Sequence, residues 1–166
     1  KRLNFLYQKL KERGIKISSI QMQFSLLTKP SVEDKKIRNI CNEYNIEYLA
    51  YSPLALGILA IPPDKSPKTS TFIRQKLFKR ILPKTKELRK LLTNIGEKYS
   101  ATEAQVALNW VRSHGAKPIV GIRNPLQAKD AISALSWSLT KNEKEKLDLY
   151  RNKCIAHMPQ NPFTSP

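Results

Sequence analysis

Ile46-Glu47-Tyr48-Leu49-Ala50-Tyr51-Ser52-Pro53-Leu54-Ala55-Leu56-Gly57 is the stretch whose reading decides the fold. Its first six residues, Ile46 to Tyr51, make a short apolar run with β-favouring side chains, long enough for one buried strand. Ser52, Pro53 and Gly57 then break it into a turn. Upstream, Ser31 and Asp34 resemble a capping box with a shortened acid. Ile37, Ile40, Cys41 and Tyr44 follow on one helical face. Before that comes a strand within Ile15 to Leu27, carried by Ile17, Ile20, Met22 and Phe24. A helix from Leu3 to Arg13 shows apolar Leu3, Leu6, Tyr7 and Leu10 and stops at Gly14.

Downstream, Ala60 to Ser70 contains Pro62, Pro63 and Pro67 and reads as a long exposed loop. Leu88, Leu91, Leu92 and Ile95 mark the next helix. Thr102 and Gln105 cap another that carries Val106, Leu108, Trp110 and Val111 to a stop at Gly115. Lys117 to Gly121 is a third short strand. Asn124, Pro125 and Gln127 form the N-cap, N1 proline and N3 residue of a helix reaching Leu135, and Thr140 with Glu143 opens a last one through Tyr150. From His157 to Pro166 there is no periodicity.

Helices alternating with short apolar strands predict an α/β fold with a parallel sheet. Three strands cannot close a barrel, and a free-standing parallel sheet needs cover on both faces.

Composition sets the function classes. The 166 residues are 40% hydrophobic, enough for a core, and no run of eighteen apolar residues could span a bilayer. A soluble protein without a secretory leader is expected, in the cytoplasm or an organelle matrix. The two cysteines, Cys41 and Cys154, have no metal-type spacing and read as free thiols of a reducing compartment; no metal site is expected. The formal charge of +17 raises the question of nucleic acid. The lysines are scattered, however, and the densest stretch, Lys76 to Lys90, lacks interleaved aromatics that would stack bases. Solvated helix faces are the expectation, not nucleic-acid contact.

Four ordered motifs carry a resemblance. Gln21 to Leu27 resembles the N-Q-x-E-Y-S-L-L strand of aldo-keto reductases, and Ala50 to Leu59 their A-Y-S-P-L-x-x-G-L-L. Ala104-Gln105-Val106-Ala107-Leu108-Asn109-Trp110 matches their A-Q-V-A-L-N-W helix, and Pro118 to Gln127 is similar to P-I-P-G-x-K/R-x-x-x-Q. The resemblance covers the chain up to its tail, with residues 1–152 as the C-terminal half of a (β/α)8 TIM barrel and 153–166 as a C-terminal tail.

The resemblance implies a nicotinamide cofactor, NADP(H), and assigns candidate residues. Gln21 would hydrogen-bond the carboxamide, an amide being both donor and acceptor. Tyr51 would stack on the nicotinamide ring. Ser52, Leu54 and Gly57 would wrap the pyrophosphate, Arg123 would meet the 2′-phosphate as a bidentate donor, and Gln127 would lie on the adenine side. Gln127 also has a structural reason to be there, as the third residue of its helix.

Departures from the family pattern are Gln23 for its glutamate, Ala60-Ile61-Pro62-Pro63 for T-G-K-Y, Val120 for the second proline, and Ala131 for the asparagine that contacts adenine. The family's catalytic Tyr, Lys, Asp and His belong to the first four strands, so no catalytic residue is assigned in this span. His114 and His157 match none of them and are expected at the surface. The implied activity of a complete protein is hydride transfer from NADPH to an aldehyde or ketone, with the N-terminal half of the barrel as a required partner. The alternative is a catalytically inactive structural or regulatory subunit of the same fold within a larger assembly.

Overall fold

The computed structural model describes residues 2–65 and 72–159. Helix α1 (Arg2–Lys11) leads to strand β1 (Ser19–Gln23), helix α2 (Val32–Glu43) and strand β2 (Glu47–Tyr51). After a 3-10 segment at Ala55–Ala60 come helices α3 (Phe72–Ile81), α4 (Lys86–Lys98) and α5 (Glu103–Ser113), strand β3 (Ala116–Pro118), and helices α6 (Pro125–Ser133) and α7 (Lys141–Lys153). The strands form one parallel sheet in the order β1-β2-β3, with Ile20 opposite Tyr48, Met22 opposite Ala50, and Ala50 opposite Pro118.

The caps form as the sequence predicts, because each needs only a side chain and an amide three residues on. Ser31, Thr102, Asn124 and Thr140 accept from the backbone N–H of Asp34, Gln105, Gln127 and Glu143, and Thr140 with Glu143 completes a reciprocal box.

Strand alternation divides the sheet into unlike faces. Tyr48, Ala50 and Ala116 point into the helical layer and are buried, whereas Ser19, Gln21, Glu47 and Lys117 on the opposite face are exposed. The covered side is packed by α5, whose residues Ala104 to Val111 are all buried. Phe24 stacks on Trp110 at 5.0 Å between ring centroids, and Tyr48 and His114 meet its edge. The Arg38 guanidinium lies 4.6 Å over the same ring and pairs with Asp34, which also accepts from the Tyr48 hydroxyl at 2.7 Å.

Three expectations need correcting. Helix α3 fills a stretch that the sequence reading leaves unassigned, between the proline-rich loop and Leu88. Leu77, Phe78 and Ile81 pack against the core at helical spacing while Phe72 at its start is exposed. Residues 66–70 of the expected loop lie outside the described residues, as do residues 160–166 of the tail.

His114 is not a surface residue. Its side chain is 16% exposed, packs on Trp110, and places Nε2 2.9 Å from the Asp148 carboxylate. His157 is half-buried as well, because residues 154–159 fold back so that Met158 N–H donates to Leu27 C=O at 2.8 Å.

Asp148 ties the last helix to the core. It accepts from the Trp110 indole N–H at 2.8 Å as well as meeting His114. Burial pushes its carboxyl up, but the hydrogen bonds from His114 and Trp110 and the charges of His114 and Lys144 outweigh this and hold it below the ordinary value. A depressed carboxyl stabilises the fold above the ordinary aspartate pKa, and that contribution is lost as pH falls through the folded value. Asp148→Asn should therefore destabilise the protein by about 1–2 kcal/mol at pH 7. In urea melts across pH, the gap between variant and wild type should close below about pH 4.

Candidate functional site

The connections that leave the C-terminal ends of β2 and β3, with α5 and α6, line an open cavity of about 560 Å³, a volume in the range of small-molecule sites. Its wall brings together Ser52, Leu54 and Gly57 from the connection after β2 with Arg123 and Gln127 from the connection after β3 and the start of α6. Five of the seven candidate residues, more than sixty positions apart in sequence, thus share one concave surface.

The remaining two stand elsewhere. Gln21 and Tyr51 lie on the bare face of the sheet, Gln21 opposite Leu49 and Tyr51 opposite Gln23, one alternation step apart. Gln21 is exposed and Tyr51 half-buried.

The turn after β2 has an unusual backbone. Ser52, Ala55 and Leu56 adopt φ of 52°, 50° and 57°, and Gly57 φ of 94°. A left-handed conformation costs an L-residue about 1 kcal/mol or more. The turn is closed by Ala55 N–H to Ser52 C=O and Gly57 N–H to Leu54 C=O, both 2.9 Å, and anchored by Ile58 and Leu59, which are fully buried. Sequence reasoning expects the glycine; non-glycine residues in the same region carry no composition signal.

Across the cavity, the Gln127 side chain accepts from the Arg123 backbone N–H at 2.9 Å while its own N–H donates to the Asn124 side chain. Gln127 therefore shapes the Arg123 loop. Among the described residues, the Arg123 guanidinium and the Ser52 hydroxyl have no partner. The cavity thus offers a fixed fork of donors and a hydroxyl to an anionic ligand.

Asp130, a residue that sequence reasoning missed, also lies in the wall. It accepts from Thr102 Oγ at 2.9 Å and from Gln105 Nε2 at 2.7 Å, joining α6 to α5. Its spacing three residues after Gln127 puts it on the same helix face, a signal that was available. Ala131 lines the cavity beside it and offers no polar group. Among the described residues, no group of three or more His, Cys, Asp or Glu side chains could hold a metal ion, and no helix is long and apolar enough to cross a membrane.

A parallel α/β sheet with its cavity at the strand C-termini defines the class of protein, and comparison with known proteins gives the family. The sequence model of the Aldo/keto reductase family matches residues 5–151. The chain is 38% identical to the chloroplastic pyridoxal reductase of Arabidopsis thaliana over 95% of its length, and 30% identical to the NADPH-dependent alpha-keto amide reductase of Saccharomyces cerevisiae over 87%. It spans 43% and 41% of those two proteins.

Among solved structures it resembles the thermostable aldo-keto reductase Tm1743, with a TM-score of 0.61 at 16% identity over 86% of this chain and 43% of that one. It also resembles Gox0644, with a TM-score of 0.63 at 16% identity over 96% and 48%. The chain belongs to the aldo/keto reductase family. Its three parallel strands and covering helices are the C-terminal part of a (β/α)8 barrel.

Because the Asn124 cap sets both the start of α6 and the position of Gln127, its loss should loosen the Arg123 loop. Asn124→Ala is expected to cost about 1 kcal/mol. Hydrogen exchange should quicken at the Gln127 amide while the amides of α5 keep their protection.

Proposed function

We propose that this span is the cofactor-binding half of an NADP-dependent reductase of aldehydes or ketones. The observation that carries the reading is the convergence of Ser52, Leu54, Gly57, Arg123 and Gln127 on one cavity beside the sheet face that holds Gln21 and Tyr51. Ser52 and the turn to Gly57 would hold the pyrophosphate, where left-handed backbone permits close approach. Arg123 would take the 2′-phosphate as a fork and so favour NADP over NAD. Gln127 would fix the Arg123 loop on the adenine side, as it does through the Arg123 N–H.

On the bare face, Tyr51 would present a flat apolar surface to the nicotinamide ring and Gln21 would orient its carboxamide. The cofactor, when bound, supplies the hydride. The proton would come from the complementary half of the barrel, since no catalytic residue is assigned to this span.

The complementary N-terminal half is the partner this reading requires. On the face with Gln21 and Tyr51, Ser19, Gln21, Glu47 and Lys117 are exposed, and Ile119 and Ile122 just after β3 are exposed apolar side chains. Two free cysteines and the chloroplastic location named for the Arabidopsis relative support a reducing compartment, either cytoplasm or organelle matrix. Ala131 in the cavity wall favours a second reading, a subunit of this fold that has lost turnover and serves a structural or regulatory role.

Titration of NADPH fluorescence with the complete polypeptide separates these readings. Micromolar binding with carbonyl reduction supports the reductase; binding without turnover supports the second reading; no binding removes both cofactor roles. Arg123→Ala should weaken NADPH about 10- to 100-fold while leaving NADH within about threefold, as expected for loss of a charge-assisted bidentate contact.

A further inference from the structure

The strained turn is followed by a segment held in an uncommon way. Residues 61–65 leave the buried anchor of Ile58 and Leu59 and cross the end of α4, where Arg89 is 3% exposed. Its Nη1 donates to the carbonyl oxygens of Pro62 at 2.8 Å and of Ile61 and Lys65 at 3.4 Å, and its Nη2 donates to Leu82 C=O at 3.3 Å.

Among the described residues, no buried carboxylate faces it. Asp64 is exposed and pairs with Lys86 at 3.7 Å, acting on Arg89 only as a nearby charge. Burial pulls the guanidinium below its ordinary value, opposed only by Asp64. Four backbone carbonyls thus accept from a buried cation whose Nε finds no partner among the described residues, an arrangement costlier than a well-packed apolar side chain.

The segment so held leaves the turn that lines the cavity. Leu56, Gly57 and Ala60 are in the cavity wall, and Ile61 follows directly. Backbone in a sparsely populated region persists only when its surroundings over-determine it. The entry of this turn is fixed by β2 and its end is held by the buried Ile58 and Leu59; the chain that leaves this anchor is fixed by Arg89. We propose that Arg89 is a positioning residue, clamping residues 61–65 so that the left-handed Ser52–Gly57 turn keeps the shape that receives the cofactor's phosphates. This rests on the nicotinamide-binding reading above.

The test uses the complete polypeptide with Arg89→Gln, Arg89→Met and Arg89→Lys, NADPH as probe, and trypsin cleavage after Lys65 as a readout that needs no cofactor. Loss of hydrogen bonds from a charged donor should raise the NADPH Kd about tenfold or more in the Gln and Met variants. Their kcat at saturating NADPH should stay within about twofold, because the reacting groups lie elsewhere. Cleavage after Lys65 should quicken by a similar factor without faster cleavage in α5 or α7. The Lys variant, which keeps the charge and reaches fewer carbonyls, should recover part of both effects.

Folded variants with unchanged Kd and unchanged cleavage overturn the proposal. So do variants in which every cleavage site opens together, which marks Arg89 as a general stability residue. If wild type fails to bind NADPH, the reading of the site falls. The clamp itself is then judged by proteolysis at Lys65 alone.

Discussion

A parallel sheet cannot leave both of its faces to water, and here one face carries the helical layer while Ser19, Gln21, Glu47 and Lys117 on the other are exposed. The covered face is made by α5, which is buried along most of its length and sets Trp110 against Phe24. Everything else on that side is arranged around this contact. Arg38 and Arg151 lie near the same rings, Asp34 meets Arg38 and the Tyr48 hydroxyl, and Asp148 fixes the indole from α7. The strands are held rigidly from behind, so the connections at their C-terminal ends have fixed starting points. That rigidity allows two loops distant in sequence to form one cavity.

Charge inside this structure is handled by two different devices. Asp34, Arg38 and the Tyr48 hydroxyl use ion pairing and hydrogen bonding together, and the phenol is held well above its ordinary value by burial and by the Asp34 carboxylate. Arg89 makes its hydrogen bonds to carbonyl oxygens, with the exposed Asp64 only a nearby charge. The first device fastens secondary structure elements to one another; the second fastens a loop that has no ladder of its own. A third chain of contacts runs outward from the cavity. Asp130 meets Gln105, whose amide oxygen accepts from Trp137, and Trp137 stacks on Tyr99, whose hydroxyl donates to Glu143 at the start of α7. The wall of the candidate site is thereby continuous with the helical layer.

How much of this could be read in advance depended on the range of the interaction. The four N-caps and the stops at Gly14 and Gly115 are local, and the sequence carries them; it carries the three strands in kind and order but not in their bounds. The strands proved shorter than the apolar runs suggested, because the ladder ends where the chain turns toward the next helix. Helix α3 was overlooked although Leu77, Phe78 and Ile81 have helical spacing, because the strip is short and set among Lys76, Lys79 and Arg80. The left-handed conformations of Ala55 and Leu56, and the clamp made by Arg89, depend on backbone groups that no side-chain pattern encodes.

The histidines show the same limit: His114 follows an obvious helix end, yet its burial depends on Asp148 thirty-four residues later. The candidate residues themselves were legible as a motif resemblance. Their division between a cavity and a bare sheet face was not, because it needs the register of β1 on β2.

The bare face also carries Glu47 and Lys117, paired across β2 and β3 at the N-terminal end of the sheet. While that face meets water, the bridge is screened and worth little. Once another part of a barrel covers it, the same two charges occupy a medium of low dielectric, where their desolvation is expensive unless further hydrogen bonds reach them. Closure at this floor therefore discriminates. A covering surface bearing polar groups in register with Glu47 and Lys117 is accepted, and a purely apolar one of the same shape is penalised.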